Sequence, residues 1–232
     1  MKKLALLVLV LGACSKTEST DIRTSGIYAS ITASTLGDGT TNVSTTLFLG
    51  NPINLNFVEL AGEDELLASH AGMEKVMVES DLFNVVSYRA QFQTDAEGEQ
   101  FEVAFLRGDD VSAPSSIATL PAKFTLGAGP ASAARSTALA VSWSPAGSTD
   151  AMSWVAEGDC IERASGTFAG DTGTGAIAAG TIMKRDNQQV ADSCEVTLSV
   201  SRSRLGEVDV HYGKGGYIAG VQTRQLMFTS MP

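Results

Sequence analysis

The sequence predicts an all-β protein built as two tandem β-sandwiches, and three observations carry that expectation. Apolar and polar residues alternate in short runs along most of the chain. Gly, Asn, Asp and Pro cluster between those runs. Only Glu63 to Val76 offers a helical alternative, and Gly72 interrupts it. Alternation with period two places every second side chain on one face of a strand, whereas a helix needs apolar residues three and four apart.

Taken in order, Ile27, Ala29, Ile31 and Ala33 alternate with small polar residues, and Val43, Thr45 and Leu47 repeat the pattern. Turns are expected at Gly37-Asp38-Gly39, Gly50-Asn51-Pro52 and Gly62-Glu63-Asp64, where Gly tolerates positive φ and Pro fixes φ. The stretch Glu63 to Val76 leans towards a strand. Tyr88, Ala90 and Phe92 are followed, after TDAEGEQ, by Phe101, Val103 and Phe105, so this pair is expected to form a β-hairpin. Gly127 to Arg135 (GAGPASAAR) lacks periodicity and is expected to be a linker. Strands are then expected around Leu139–Trp143, Met152–Ala156, Ala176–Ile182, Val196–Val200, Val208–Tyr212 and Tyr217–Phe228.

The resulting division is 14–24 as a flexible tether, 25–126 as an N-terminal sandwich, 127–135 as the linker and 136–232 as a C-terminal sandwich. Each half has about 100 residues and six or seven short strands, the size and rhythm of an immunoglobulin-like sandwich. The segment LAVSWSPAGS, with Trp143, resembles strand B of fibronectin type III domains. That resemblance implies a Trp packed in the core. Cys160 follows the Trp strands, which departs from the antibody pattern of a bridge between strands B and F.

The start of the chain carries an address. Lys2 and Lys3 precede the apolar run Leu4 to Leu11, which is too short to span a bilayer. It has the form of a cleaved export signal over residues 1–13. Leu11-Gly12-Ala13-Cys14 then resembles the lipobox of bacterial lipoproteins. The resemblance implies a diacylglyceryl group on the Cys14 thiol, cleavage before Cys14 and acylation of the new amine. Ser15 stands where an inner-membrane retention Asp would sit, which implies the outer membrane.

The whole chain carries 16 Lys+Arg and 26 Asp+Glu, a net charge of -10. Removing Lys2 and Lys3 with the leader gives 14 minus 26, or -12. Such a chain lacks the basic face that nucleic acid requires, and anionic headgroups would repel it. Cys160 and Cys194 form an even pair once Cys14 is lipidated, so in an exported chain they are read as a disulfide. Free thiols or half a metal site are the rival readings, and no second Cys pair or nearby His supports a metal.

Few constellations point to chemistry. Arg107-Gly108-Asp109 is the tripeptide that integrins recognise when an exposed loop displays it. Glu207, Asp209 and His211 would share one face of a strand, about 6.5–7 Å apart per pair, where two of them could converge on a cation. Acidic turns at Glu63-Asp64-Glu65, Asp95 to Glu99 and Asp109-Asp110 could attract calcium, and none matches an EF-hand loop. Arg202, Arg204 and Arg224 are expected to pair with carboxylates on a sheet face. Gly213-Lys214-Gly215-Gly216 lacks phosphate-loop spacing and is expected to be a hairpin turn. A histidine-based triad would have to use His70 or His211, and neither has a favouring neighbour in sequence.

The leading expectation is a lipid-anchored envelope protein acting, without a cofactor, as an interaction, adhesion or scaffold module. Its expected partners are the membrane, through Cys14, and another envelope protein or a glycan, but not nucleic acid. The alternatives are an envelope hydrolase or carbohydrate-active enzyme using a carboxylate pair, and a carrier of a small ligand or ion.

Overall fold

The computed structural model describes residues 15–82, 84–186 and 189–232, and it is all-β. The leader and Cys14 lie outside the described residues. The first half contains β1 (Ser15–Glu18), β2 (Ile27–Thr35), β3 (Thr41–Leu49), β4 (Asn56–Glu59), β5 (Glu65–His70), β6 (Met73–Val76), β7 (Val78–Leu82), β8 (Val85–Phe92), β9 (Gln100–Leu106) and β10 (Ala113–Thr119). The second contains β11 (Thr125–Leu126), β12 (Ser132–Ala134), β13 (Leu139–Ser144), β14 (Ala151–Gly158), β15 (Ala164–Thr167), β16 (Thr174–Ile177), β17 (Cys194–Leu205) and β18 (Tyr217–Met231).

One 11-stranded sheet runs through both halves in the order β1-β4-β3-β2-β18-β17-β14-β15, with β7, β8 and β12 attached beside it. A 4-stranded sheet, β10-β9-β5-β6, covers its first half, and a 3-stranded sheet, β11-β13-β16, covers its second. Alternation explains the first core. Ile27, Ala29, Ile31, Val43, Leu47, Tyr88 and Phe92 point inward from the large sheet and meet Leu66, Phe101, Val103 and Phe105 from the small one. The second core packs Phe124, Val141 and Trp143 against Met152, Trp154, Val196, Leu198 and Val200. Trp143 is thus buried, as the fibronectin-like segment implies.

Several expected elements differ. The Tyr88–Phe92 and Phe101–Phe105 strands do not form a hairpin. β8 pairs with β3 and β7, while β9 pairs with β5 and β10. Their aromatics meet across the core instead, with the Phe92 and Phe101 rings 5.6 Å apart. Period two fixes which face is buried, but it does not say whether the partner lies beside or across. Glu63 to Val76 contains the antiparallel pair β5–β6, closed at Ala71-Gly72 with positive φ at both residues. Of the expected Ala176–Ile182 run only Ala176 and Ile177 are strand, at the end of β16.

The expected tether is ordered from Ser15. β1 lies parallel to β4 from Ser15↔Asn56 to Glu18↔Glu59. The expected linker also takes part in the fold, since Ser132–Ala134 pairs parallel with β18 at Ser132↔Thr229. Polar or small-residue composition marks a segment that cannot build its own core. It does not exclude pairing with an edge supplied by distant sequence.

The halves are not beads on a string, because β17 and β18 belong to both. They pair continuously from Cys194↔Ser230 to Leu205↔Ala219. At about 3.4 Å per residue the 12 and 15 residues of these strands reach about 40 and 50 Å. Tyr212 and Ile218 accordingly join the first core, whereas Val196 and Phe228 join the second.

At the junction Arg202 continues the inward face of β17 and is buried. Its guanidinium pairs with Asp171 at 2.7 Å and donates to the Ala122 carbonyl at 2.9 Å and the Pro145 carbonyl at 2.8 Å. Asp171 also accepts from the Trp143 indole and, at 3.0 Å, from the Ser148 amide. Phe124 lies between Arg202 and Arg224, 5.1 and 5.5 Å from their guanidinium carbons. Arg204 pairs with Asp150 at 2.8 Å. Arg224 instead donates to the Gln222 side chain and the Thr223 carbonyl.

The Cys160–Cys194 disulfide is present, with a Cα–Cα distance of 5.7 Å. It joins the segment after β14 to the start of β17, which are neighbours in one sheet. An antibody-type bridge crosses between sheets, so the two arrangements differ.

Candidate functional site

An open cleft of about 740 Å³ lies where the N-terminal segment meets the β9–β10 loop and the β17–β18 connection. Thr20 to Ser25 form one wall, Asp109 to Val111 another, and Val210 and His211 a third, with Arg107 between them. Two candidates that sequence spacing kept far apart, the 107–109 tripeptide and His211, therefore share one concavity.

Arg107 builds this place. Its side chain is only 2% exposed and forms an ion pair with the equally buried Asp64 at 2.8 Å. It donates to the Ser19 carbonyl at 2.7 Å, the Ile22 carbonyl at 3.0 Å and the Thr24 hydroxyl at 3.0 Å. It also lies over the Phe105 ring, 4.9 Å from the centroid. The amide of Gly108 donates to Asp64 at 2.9 Å. The expectation of a displayed integrin tripeptide is thereby corrected. Asp109 is exposed, but Arg107 is turned inward to satisfy carbonyls of the arriving N-terminal segment. A guanidinium offers five donors in a fixed fork, which suits several carbonyls that no strand neighbour serves.

Asp110 clasps the same segment. It accepts from the Thr24 amide at 2.6 Å and the Thr24 hydroxyl at 3.1 Å. Those bonds, the amide bond first, hold its carboxyl below the usual range.

The expected strand face of Glu207, Asp209 and His211 is also corrected. These residues lie in the connection between β17 and β18. Glu207 bridges to Ile117 of β10 through backbone bonds and is exposed. Asp209 is buried and accepts from the Ser115 amide, the His211 amide and the His211 ring Nδ1 at 2.9, 2.9 and 2.7 Å. Its amide donates to Ser116 Oγ at 3.0 Å. Burial pushes the Asp209 carboxyl up, but the bonds from His211 and Ser115 outweigh it and the net shift is downward. The carboxylate is therefore a staple between this connection and β10.

Tyr212 stacks on Phe105 with ring centroids 6.0 Å apart, and burial drives its phenol well above the ordinary value. His70, the other histidine, stacks on Phe101 at 4.7 Å, with Nδ1 3.0 Å from the Gln100 carbonyl. It sits in the first core, apart from the cleft. The acidic turns are also bound into the fold. Asp64 serves Arg107, and Asp95 pairs with Lys123 at 2.6 Å. Among the described residues no group of three or more His, Cys, Asp or Glu is placed to hold a metal.

Exposed groups at the rim include the side chains of Asp21 and Arg23, the carboxylate of Asp109, the exposed face of His211 and the side chain of Val210. Sequence reasoning did not find Thr24, and it read Asp64 only as part of an acidic turn, not as the partner of Arg107. Their partners Asp110 and Arg107 lie 86 and 43 residues away, and no local pattern encodes such contacts. No protein-family model matches the chain, and a comparison with curated proteins finds no match.

Proposed function

We propose that this chain is a bacterial envelope lipoprotein, acylated at Cys14, whose all-β body works as an interaction, adhesion or scaffold module at the outer membrane. The observation that supports this reading most is the join between address and fold. The lipobox-like Leu11-Gly12-Ala13-Cys14 runs directly into β1, which is hydrogen-bonded from Ser15 onward. An acyl group at that point holds a body of net charge -12 (14 minus 26) near a surface that its own charge would not seek. Two or three acyl chains anchor stably where one is marginal. The partner is another envelope protein or a glycan, and the net acidic charge disfavours nucleic acid.

Fractionation of cells producing the wild-type chain and Cys14→Ser tests this reading. The wild type is expected in the membrane fraction and the variant in the soluble fraction. Equal membrane association of the two would refute the anchor.

The cleft supports a second reading, in which a small polar ligand or a glycan segment binds beside Asp109 and His211. Thermal unfolding with and without short glycans checks it, because a ligand selective for the native state raises the midpoint. The rise should disappear in Asp109→Asn.

A further inference from the structure

The β3–β4 turn lies at the point where the chain enters the fold. β1 and β4 are parallel, and their first register pair is Ser15↔Asn56. Leu55 immediately precedes Asn56, so this turn ends where β1 begins. A residue bonded to Ser15 has its Cα about 3.8 Å from that of Ser15. A lipid carried by the residue before Ser15 would therefore be joined to the body beside this turn with no intervening spacer.

The turn presents apolar side chains outward. Ile53 is 86% exposed and Leu55 50% exposed. The sequence fixes this shape. The Asn51 side chain accepts from the Ile53 amide at 3.0 Å, Pro52 opens the short 3-10 turn Pro52–Asn54, and Leu55 has φ 48°. Two more exposed apolar residues lie on the hairpin that packs against β1. Lys16 of β1 reaches Asp81 of β7 at 2.6 Å, which brings the β7–β8 turn with Leu82 and Val85, both exposed, to the same edge. Lys16 also pairs with Glu59 at 3.2 Å, so the only cation of β1 is already paired with carboxylates. Isolated exposed apolar residues need no explanation, but Ile53 and Leu55 together at the chain entry do.

We propose that Ile53 and Leu55, together with Leu82 and Val85, insert into a zwitterionic phospholipid surface and orient the body upright on its anchor. This inference rests on the proposed acylation of Cys14. The acidic chain excludes an anionic surface, and the absence of slack between Ser15 and the turn makes the bilayer the surface that the turn meets.

The test uses the full chain isolated from producing cells, with Ile53→Trp or Ala179→Trp, in phosphatidylcholine–phosphatidylethanolamine vesicles with and without brominated acyl chains. Trp143 and Trp154 are buried in the second core and give a constant background. Acylation is read separately, from partition into the detergent phase. The position-53 emission should fall by roughly half or more on brominated vesicles, while position 179, in an exposed turn of the second half, stays unchanged. A detergent-partitioning protein whose position-53 emission is not quenched overturns the insertion and leaves the anchor standing. A protein that stays aqueous overturns the anchor, whatever the emission does. A blue-shifted but unquenched signal from a dimer overturns insertion in favour of a second copy over the turn.

Discussion

At the scale of single residues, buried cations organise this molecule. Arg107 and Arg202 each gather backbone carbonyls and one buried carboxylate, Asp64 and Asp171 respectively. Breaking a buried pair from one side leaves an uncompensated charge, so Arg202→Met should lower stability by about 3–5 kcal/mol in urea titrations. A loss under about 1 kcal/mol would remove Arg202 from this role. Arg107→Ala should act locally, exposing the amide of Thr24 to hydrogen exchange and Arg23 to trypsin while the cores stay protected. Acid should find the carboxylates. Burial raises Asp150, but Arg204 and Ser148 outweigh it, so it titrates below its ordinary value, as Asp209 does through His211 and Ser115. For groups depressed by folding, the stabilisation is present above the unfolded value of about 3.9 and is lost as pH falls through the folded one. Midpoints of thermal unfolding should therefore be flat from neutral pH to about 4 and drop below it. These residues carried only a partial signal in the sequence. Three arginines in an acidic chain suggested ion pairs, and two of the three form them. The burial of Arg202 depends on Phe124, Pro145 and Asp171, which no spacing connects to it.

At the scale of elements, period two was a sound guide to faces and a poor one to neighbours. It placed Phe92, Phe101 and Phe105 inward, where each contributes roughly 1.5–3 kcal/mol of burial. It mistook a cross-core contact for a hairpin because both put the same residues inside. It also mistook Val208–Tyr212 for a strand. There Val210 is 89% exposed, and the bonds of Asp209 shape a connection instead. Two glycines explain how that connection closes on β10. A Cβ on Gly206 would run into the Ile117 carbonyl, and one on Gly220 into the Thr119 carbonyl. Gly220→Ala should cost about 1–3 kcal/mol by forcing β10 away from β18, and proton–deuterium exchange should rise at the Ile117 amide, which donates to Glu207. The disulfide was legible from export and even pairing, although its place between neighbouring strands was not. With 34 residues of separation, its reduction should lower stability by roughly 3–4 kcal/mol.

At the scale of the whole molecule, the shared strands β17 and β18 make the two cores one structure. Calorimetry is expected to show a single transition with equal calorimetric and van't Hoff enthalpies; two separated transitions would mean that the cores unfold independently. The all-β class and two cores followed from alternation and turn residues. The continuous sheet did not, because β2 meets β18 across nearly the whole chain, Tyr217 opposite Ser30. The ordered entry at Ser15 was equally hidden, since its partners are β4 and a buried arginine rather than anything in the polar segment itself. That entry gives the proposed anchor its meaning, because a lipid on Cys14 would hold the body against the membrane instead of on a leash. Intact-mass and peptide analysis of the amino terminus of the native protein tests this most directly. The account predicts a first residue Cys14 carrying a diacylglyceryl thioether and an acylated amine. A free, unmodified amine at that position, or a chain still bearing Met1 to Ala13, would contradict it.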